Sequence, residues 1–370
     1  MTQTQTIQAA QPVRRVYVDA MKGLGIILVV WGHFEEYYRG TSPLFNGTFE
    51  CIYMFHMALF CMASGLVGKL NLKKFIGQQV WLYLISQALM MAFRVVVMQE
   101  DLAAGAGGLV GALLLPWRHM WYLYALLFWE LTVPLLSLLR KKLGLAGGLL
   151  GLGAAVAVGL LAGRVEWPFA LGRVFSFYPF YAIGVLFRPE LDRWFKATGK
   201  SLPVRVILTG AAAAVYGTWL YKIFRLPEPV YEGPTIFHDA AYGAAYQMAD
   251  RSLFYLVGTL TALALITILG GSKTLAGLGK RTLPVYILHM PVLAFLQQLG
   301  TFEPPNTHGA WAVAGWVLLT AGGAVCFLSA KPVCAVCTGV ANLWYKTLPG
   351  LIARIGGGDG RKEPPDAGQA

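Results

Sequence analysis

The chain has 370 residues, of which 56% are hydrophobic and 13% are charged, and its formal net charge is +12. Ordinary soluble domains have roughly a quarter of their residues charged. So few charges cannot cover the surface of a water-soluble protein of this size, and the excess of apolar residues equally excludes a disordered chain. The composition therefore predicts a polytopic membrane protein.

Ten segments are apolar and about long enough to cross a bilayer as helices, which takes about 20 residues each. In chain order they are 17–36, 49–67, 75–97, 119–139, 143–163, 172–187, 203–221, 250–270, 283–300 and 310–330. The segment 102–116 is apolar but short and rich in glycine, so we expect it to be re-entrant or interfacial. The sequence predicts an all-α transmembrane bundle over residues 16–350, between a polar tail (1–15) and a disordered tail (351–370).

The basic residues predict how these spans are oriented. With the N-terminus in the cytoplasm, most of the 30 Lys and Arg residues fall in the segments on the cytoplasmic side. The positive-inside rule therefore predicts that both termini are cytoplasmic. Most of the positive charge is then explained without nucleic-acid binding, and the basic inner face favours anionic lipid or an anionic cofactor.

The first predicted span carries ionisable side chains, which are costly inside a membrane and are therefore candidates for function. Lys22 and His33 are 11 residues apart, which on a helix places them within about 20° of one face and about 16 Å apart along the axis. Asp19 lies about 40° from His33 on the same side. Alternatively, Asp19 and Lys22 form a pair that reaches the inner interface, and His33 lies at the outer interface.

Other polar residues also lie inside predicted spans. We expect His56 one or two helical turns deeper than His33 from the outer side. We expect His289 about 9 Å inside the inner face, where it makes a structural hydrogen bond or lines a pocket. Glu130, in the middle of the fourth span, needs a partner, for which Arg94 is a candidate. The five cysteines show no spacing that predicts a metal site.

Several short sequence motifs follow one another in the order typical of one family of membrane enzymes. They are Asp19 with Lys22-Gly23 and Gly32-His33, then Phe55-His56-Met57-Ala58-Leu59-Phe60 with Ser64-Gly65, Trp121-Tyr122-Leu123, Pro179-Phe180 with Gly184, and Leu283 to His289. Over residues 15–330 the chain resembles the integral-membrane acyltransferase 3 family, in the branch akin to fucose 4-O-acetylases. The family's pattern of a basic residue followed by histidine corresponds to Lys22 and His33.

The chain departs from this family at the third predicted helix. Members often carry Arg-x-x-Arg there, whereas Gln79 and Leu82 occupy those positions here. Either the preceding Lys73 and Lys74 replace the charge, or the contact with the acyl donor is altered.

The resemblance implies O-acyl transfer, usually of acetyl, from cytoplasmic acetyl-CoA to a sugar hydroxyl of an envelope or exported glycan. It also implies a multi-pass protein of the bacterial cytoplasmic (inner) membrane, with a carbohydrate acceptor and membrane lipid as partners. We expect His33 to act as general base and Glu36 to orient its imidazole. His56 would stabilise the oxyanion or replace His33 as base. The residues expected to bind the donor, without a metal, are Lys22, Asp19, Lys73, Lys74 and His289.

A transporter remains an alternative on the sequence. Ten spans, cytoplasmic termini and polar groups within the membrane also describe a carrier of glycans or lipid-linked sugars without acyl-transfer activity. The absence of a visible inverted repeat weighs mildly against it. The predicted outer loop 222–249 has aromatic and polar residues suited to stacking on sugars, although an ordinary interfacial loop has the same mixture.

Overall fold

The regular elements of this protein are helices. The computed structural model describes residues 15–105, 107–163, 170–224, 248–302 and 309–356, and no strand occurs among them. Most of the predicted outer loop 222–249, residues 1–14 of the first tail and residues 357–370 of the second lie outside the described residues.

The helices are numbered in chain order. They are α1 (Val16–Glu36), α2 (Pro43–Tyr53), α3 (His56–Val67), α4 (Leu72–Val96), α5 (Gly108–Leu114), α6 (Trp121–Ala162), α7 (Leu171–Leu186), α8 (Arg188–Thr198), α9 (Leu202–Phe224), α10 (Met248–Leu269), α11 (Lys273–Gly279), α12 (Thr282–Gln298), α13 (Ala310–Leu328) and α14 (Lys331–Gly356).

Six stretches of the described chain are helical, long enough and apolar enough to cross a membrane. They are α1, α2 with α3, α4, α6 with the turn before it, α10 and α13. The prediction of an all-helical membrane protein is confirmed in this form. The count of ten crossings and the cytoplasmic position of both termini stay predictions.

The long helix α6 is a hairpin of two of the predicted spans. Its backbone leaves helical geometry at Gly144, where φ is 58° and ψ is −133°, a conformation that glycine adopts without the steric cost of a Cβ. The chain reverses direction at Gly144. The close approach of the two arms shows this, since a Cβ added to Gly151 would lie 3.5 Å from a methyl of Leu136. The predicted spans 119–139 and 143–163 are therefore the two arms of this hairpin.

The second predicted span is broken into α2 and α3. The backbone at Phe55 has φ −146° and ψ −18°, which is not helical, and His56 begins α3. The helical region also starts earlier than expected, at Pro43, where the Ser42 side chain accepts a hydrogen bond from the backbone N–H of Phe45. The break gives His56 a position at a helix N-terminus rather than within a continuous span.

Helix α3 lies in the interior of the bundle and crosses α7 at glycines. Gly65 of α3 lies against the backbone of Tyr181, and a Cβ on Gly184 of α7 would lie 2.3 Å from the Met62 carbonyl oxygen. Small residues at such crossings let two helix backbones approach closely. The Ser64-Gly65 pair of the sequence therefore includes a packing residue.

The short helix α11 packs against the first turns of α1. A Cβ on Gly279 would lie 1.8 Å from the Asp19 carbonyl oxygen, and one on Gly23 would lie 2.0 Å from the Leu275 carbonyl oxygen. Because α11 lies beside the first turns of α1, α12 begins farther along α1, near Lys22. The depth expected for His289 within the membrane stays a prediction.

A further helix, α14, follows the last predicted span. It packs on α4, where the Gln78 side chain donates a hydrogen bond to the Asn342 side chain. The indole N–H of Trp81 donates to the carbonyl oxygen of Val340 at 3.1 Å. The helix continues to Gly356, so it includes the first residues of the segment predicted to be a disordered tail.

Candidate active site

Three histidines from separate parts of the chain form one cluster, called the histidine cluster below. The ring centroids of His33 and His289 are 5.3 Å apart and stacked. Those of His119 and His289 are 4.8 Å apart, and the two rings meet edge to face at 71°. His33 comes from α1, His119 from the turn before α6 and His289 from α12. His119 and His289 are buried, whereas His33 is partly exposed.

Backbone carbonyls orient two of these rings. The Nδ1 of His289 lies 3.0 Å from the Val285 carbonyl oxygen and 2.8 Å from that of Tyr286. The Nε2 of His119 lies 3.2 Å from the Ile287 carbonyl oxygen. A ring nitrogen that faces a carbonyl oxygen must carry the hydrogen. In the neutral rings, Nε2 of His289 and Nδ1 of His119 are therefore the acceptors.

Glu36 lies beside His33, as the sequence predicts. One carboxylate oxygen of Glu36 is 3.2 Å from the His33 Nδ1. A carboxylate on Nδ1 fixes the tautomer that leaves Nε2 able to accept a proton. The neighbouring Glu35 is buried and points elsewhere, since its carboxylate accepts a hydrogen bond from the Thr48 hydroxyl.

The structure places His56 in other contacts. Its Nδ1 is 2.8 Å from the Ile52 carbonyl oxygen, and its ring packs edge-on against Tyr53 with centroids 4.6 Å apart. The rings that pack together with His33 in the histidine cluster are His289 and His119. The role expected for His56, as oxyanion stabiliser or alternative base, stays a prediction.

A cavity of about 240 Å³ reaches toward the histidine cluster; it is called the inner cavity below, because Lys22 in its lining lies toward the end of α1 that is predicted to be cytoplasmic. Its polar lining consists of Lys22, Ser64, Gln79, Tyr122, Glu130, Thr282 and Tyr286, and the rest is Phe60 and leucines. The ring of Tyr286 lies 5.5 Å from that of His119 and 6.2 Å from that of His289. One wall of this cavity therefore contacts the cluster directly.

A second cavity of about 260 Å³ contains His33 itself; it is called the outer cavity below, because His33 lies toward the end of α1 that is predicted to face outward. Its other polar lining residues are Glu36, Tyr37, Trp117, Arg118 and Gln297. The guanidinium carbons of Arg94 and Arg118 lie 5.7 Å and 5.4 Å from the centre of the Trp117 ring. Arg118 has a φ of 43°, a strained value for a residue other than glycine. The histidine cluster thus lies between two cavities.

The residues predicted to bind the donor lie in different places. Lys22 lines the inner cavity. Lys73 and Lys74 are exposed at the start of α4. Asp19 is 7% exposed and lies under Gly279 of α11. His289 is part of the histidine cluster, at the level of His33 on α1.

The prediction that Arg94 is the partner of Glu130 was wrong. The Gln79 side-chain amide donates a hydrogen bond of 2.6 Å to the Glu130 carboxylate. Arg94 instead forms an ion pair of 2.7 Å with Glu100. Sequence reasoning also missed His119. The available signal was its position, because it lies beside the predicted outer end of a span, as His33 does.

The imidazole cluster of this helical protein lies between two cavities, so there is room for a ligand on either side of a group that can accept a proton. The sequence profile of the acyltransferase domain (acyltransferase 3) matches residues 15–330, and the chain belongs to this family. It is a membrane protein of an acyltransferase family.

The chain is also similar to a rhizobial protein over almost its whole length. It is 25% identical over 367 residues to nodulation protein NolL of Sinorhizobium fredii (strain NBRC 101917 / NGR234). The alignment covers 92% of this chain and 91% of the relative. No solved structure matches the chain.

Proposed function

We propose that this protein is an O-acyltransferase that moves an acetyl or other short acyl group from cytoplasmic acyl-CoA to a sugar hydroxyl of an envelope or exported glycan. The observation that carries the proposal is the position of His33. Its Nδ1 faces Glu36, its ring stacks on His289, and it lines the outer cavity while the cluster contacts the wall of the inner one.

In this proposal His33 is the general base. Its Nε2 takes the proton of the acceptor hydroxyl while the hydroxyl oxygen forms a bond to the thioester carbonyl carbon. The carbon–sulfur bond then breaks, and the departing thiolate takes the proton from the imidazolium. The products are an ester and a free thiol. We assign the base to His33 because the Glu36 carboxylate faces its Nδ1 and because His33 lines the outer cavity.

The inner cavity is the proposed donor site. Lys22 supplies a cation in its lining, and Lys73 and Lys74 add exposed positive charge at the start of α4. Cations favour the phosphates of coenzyme A. The leucines and Phe60 of the lining suit the apolar parts of the pantetheine arm.

The outer cavity is the proposed acceptor site. Trp117 offers an aromatic surface of the kind on which sugar rings stack. Arg118 and Gln297 supply hydrogen-bond donors, and Glu36 supplies an acceptor.

We also propose that the protein is a multi-pass protein of the bacterial inner membrane, with ten crossings and both termini cytoplasmic.

Release of coenzyme A thiol tests the proposal. Purified protein in detergent, given labelled acetyl-CoA and envelope glycan, is expected to release thiol and to label the glycan. The variant His33→Ala is expected to insert and melt like the parent protein and to label no glycan. Normal labelling by this variant would overturn the assignment of the base. Glycan binding by the parent protein without thiol release would instead favour a transporter.

A further inference from the structure

The polar part of the inner cavity includes a pair of side chains with two unused hydrogen-bond acceptors. Gln79 and Glu130 both line the cavity, and the Gln79 amide N–H binds one carboxylate oxygen of Glu130. The other oxygen of Glu130 and the amide oxygen of Gln79 are shielded from solvent and have no hydrogen-bond partner among the described residues. Buried acceptors without donors are unfavourable, so the pair is suited to a ligand that brings N–H groups.

The local backbone directs Gln79 to this position. The segment Phe75–Val80 of α4 is a π-helix, a rare form that is frequent at functional sites. The two successive glutamines in it serve different neighbours. Gln78 binds Asn342 of α14, and Gln79 binds Glu130 of α6.

The position of the pair along the cavity matches the middle of an extended donor. Glu130 is eight residues beyond Tyr122 on α6, which is about 12 Å along the helix axis. Tyr122 lies at the end of the cavity that adjoins the histidine cluster, since its ring centroid is 5.5 Å from that of Tyr286. A thioester held at the cluster would therefore extend its carrier arm past Glu130 and Gln79.

We propose that Gln79 and Glu130 bind the amide N–H groups of the donor's pantetheine arm. This rests on the proposed function of the inner cavity. Pantetheine has two secondary amides, each with one N–H donor, and the pair offers two acceptors. The pair thus selects an amide-containing carrier, while Lys22 and the lysines of α4 select for its phosphates.

Two matched donors isolate this contact. Acetyl-pantetheine keeps both amides and has no phosphate. Its oxa-analogue, in which each amide N–H is replaced by oxygen, keeps the same length and loses both donors. The parent protein in detergent is expected to prefer acetyl-pantetheine by about tenfold or more in kcat/KM, since each hydrogen bond contributes up to about tenfold.

Two variants change the pair in different ways. Glu130→Leu removes one acceptor, and Gln79→Arg supplies donors to both oxygens of Glu130. Gln79→Arg is expected to reduce the preference to about twofold or less, and Glu130→Leu, which leaves the Gln79 acceptor in place, to an intermediate value. Gln78→Leu is the matched control, because it changes the adjacent glutamine, which binds Asn342 outside the cavity. It is expected to keep the preference of the parent protein.

The outcomes separate this inference from the proposed function. If neither donor nor acetyl-CoA supports transfer by the parent protein, the proposed function fails. If transfer occurs and the parent protein does not distinguish the two donors, the inference is wrong. If Glu130→Leu fails to fold, Gln79→Arg still tests the inference, because its Arg can pair with Glu130. An unchanged preference in Gln79→Arg would also overturn the inference.

Discussion

The imidazole of His289 stacks on that of His33, with ring centroids 5.3 Å apart. The two residues come from α12 and α1, which are far apart in the sequence. His289 is 0% exposed, and backbone carbonyls at 2.8 Å and 3.0 Å hold its Nδ1. A ring that is fixed in this way restricts the rotation of the partly exposed His33 ring stacked on it.

We expect His289→Ala to lower kcat by about 10- to 100-fold with little change in KM for donor or acceptor. The reason is that His289 positions the His33 ring, and its loss lets that ring leave the reactive orientation. Steady-state kinetics with acetyl-CoA measure the two constants separately. A rise in KM with unchanged kcat would mean that His289 binds substrate instead.

Glu36→Gln is expected to lower kcat by about 10- to 100-fold, less than His33→Ala does. An amide can still contact the His33 Nδ1, but it does not stabilise a charged imidazolium as a carboxylate does. Thr48→Ala is the control variant, because it removes the hydrogen bond to the neighbouring Glu35 carboxylate and leaves Glu36 unchanged. Equal losses in the two variants would contradict a specific role for Glu36.

Gly279→Ala is expected to destabilise the protein by about 1–3 kcal/mol or to displace α11. Its new Cβ would lie 1.8 Å from the Asp19 carbonyl oxygen, where only a backbone shift makes room. Gly277→Ala in the same helix is the control, since nothing lies within 4 Å of its Cβ. Thermal melting in detergent compares the two, and equal melting temperatures would show that α11 does not pack tightly on α1.

Asp192→Ala is expected to reduce stability by about 1–3 kcal/mol. Asp192 of α8 accepts a hydrogen bond from the Tyr17 hydroxyl at 2.8 Å and forms an ion pair with Arg15 at 2.9 Å. Both partners are on or beside the start of α1, so the change releases that end from α8. Arg193→Ala, which removes a 74% exposed side chain, is expected to change the melting temperature by much less. A smaller effect of Asp192→Ala than of Arg193→Ala would contradict this account.

Local sequence determined the helical segments and the stripe on α1. Apolar runs of about 20 residues have few alternatives in a bilayer, and helical spacing alone puts Lys22, His33 and Glu36 on related faces. The ordered phrases from Asp19 to His289 also sufficed to predict the family that the sequence profile shows. These features depend on residues close together in the chain or on composition.

Tertiary packing decided which distant residues meet. The close contact of Gly23 and Gly279 sets where α12 begins beside α1, and this brings His289 level with His33. The same packing brings His119 into the cluster and gives Glu130 the partner Gln79 instead of Arg94. Helical periodicity gives the direction of a side chain around its own helix. The offset between two helices depends on side-chain and backbone contacts between them, which one helix's sequence does not contain.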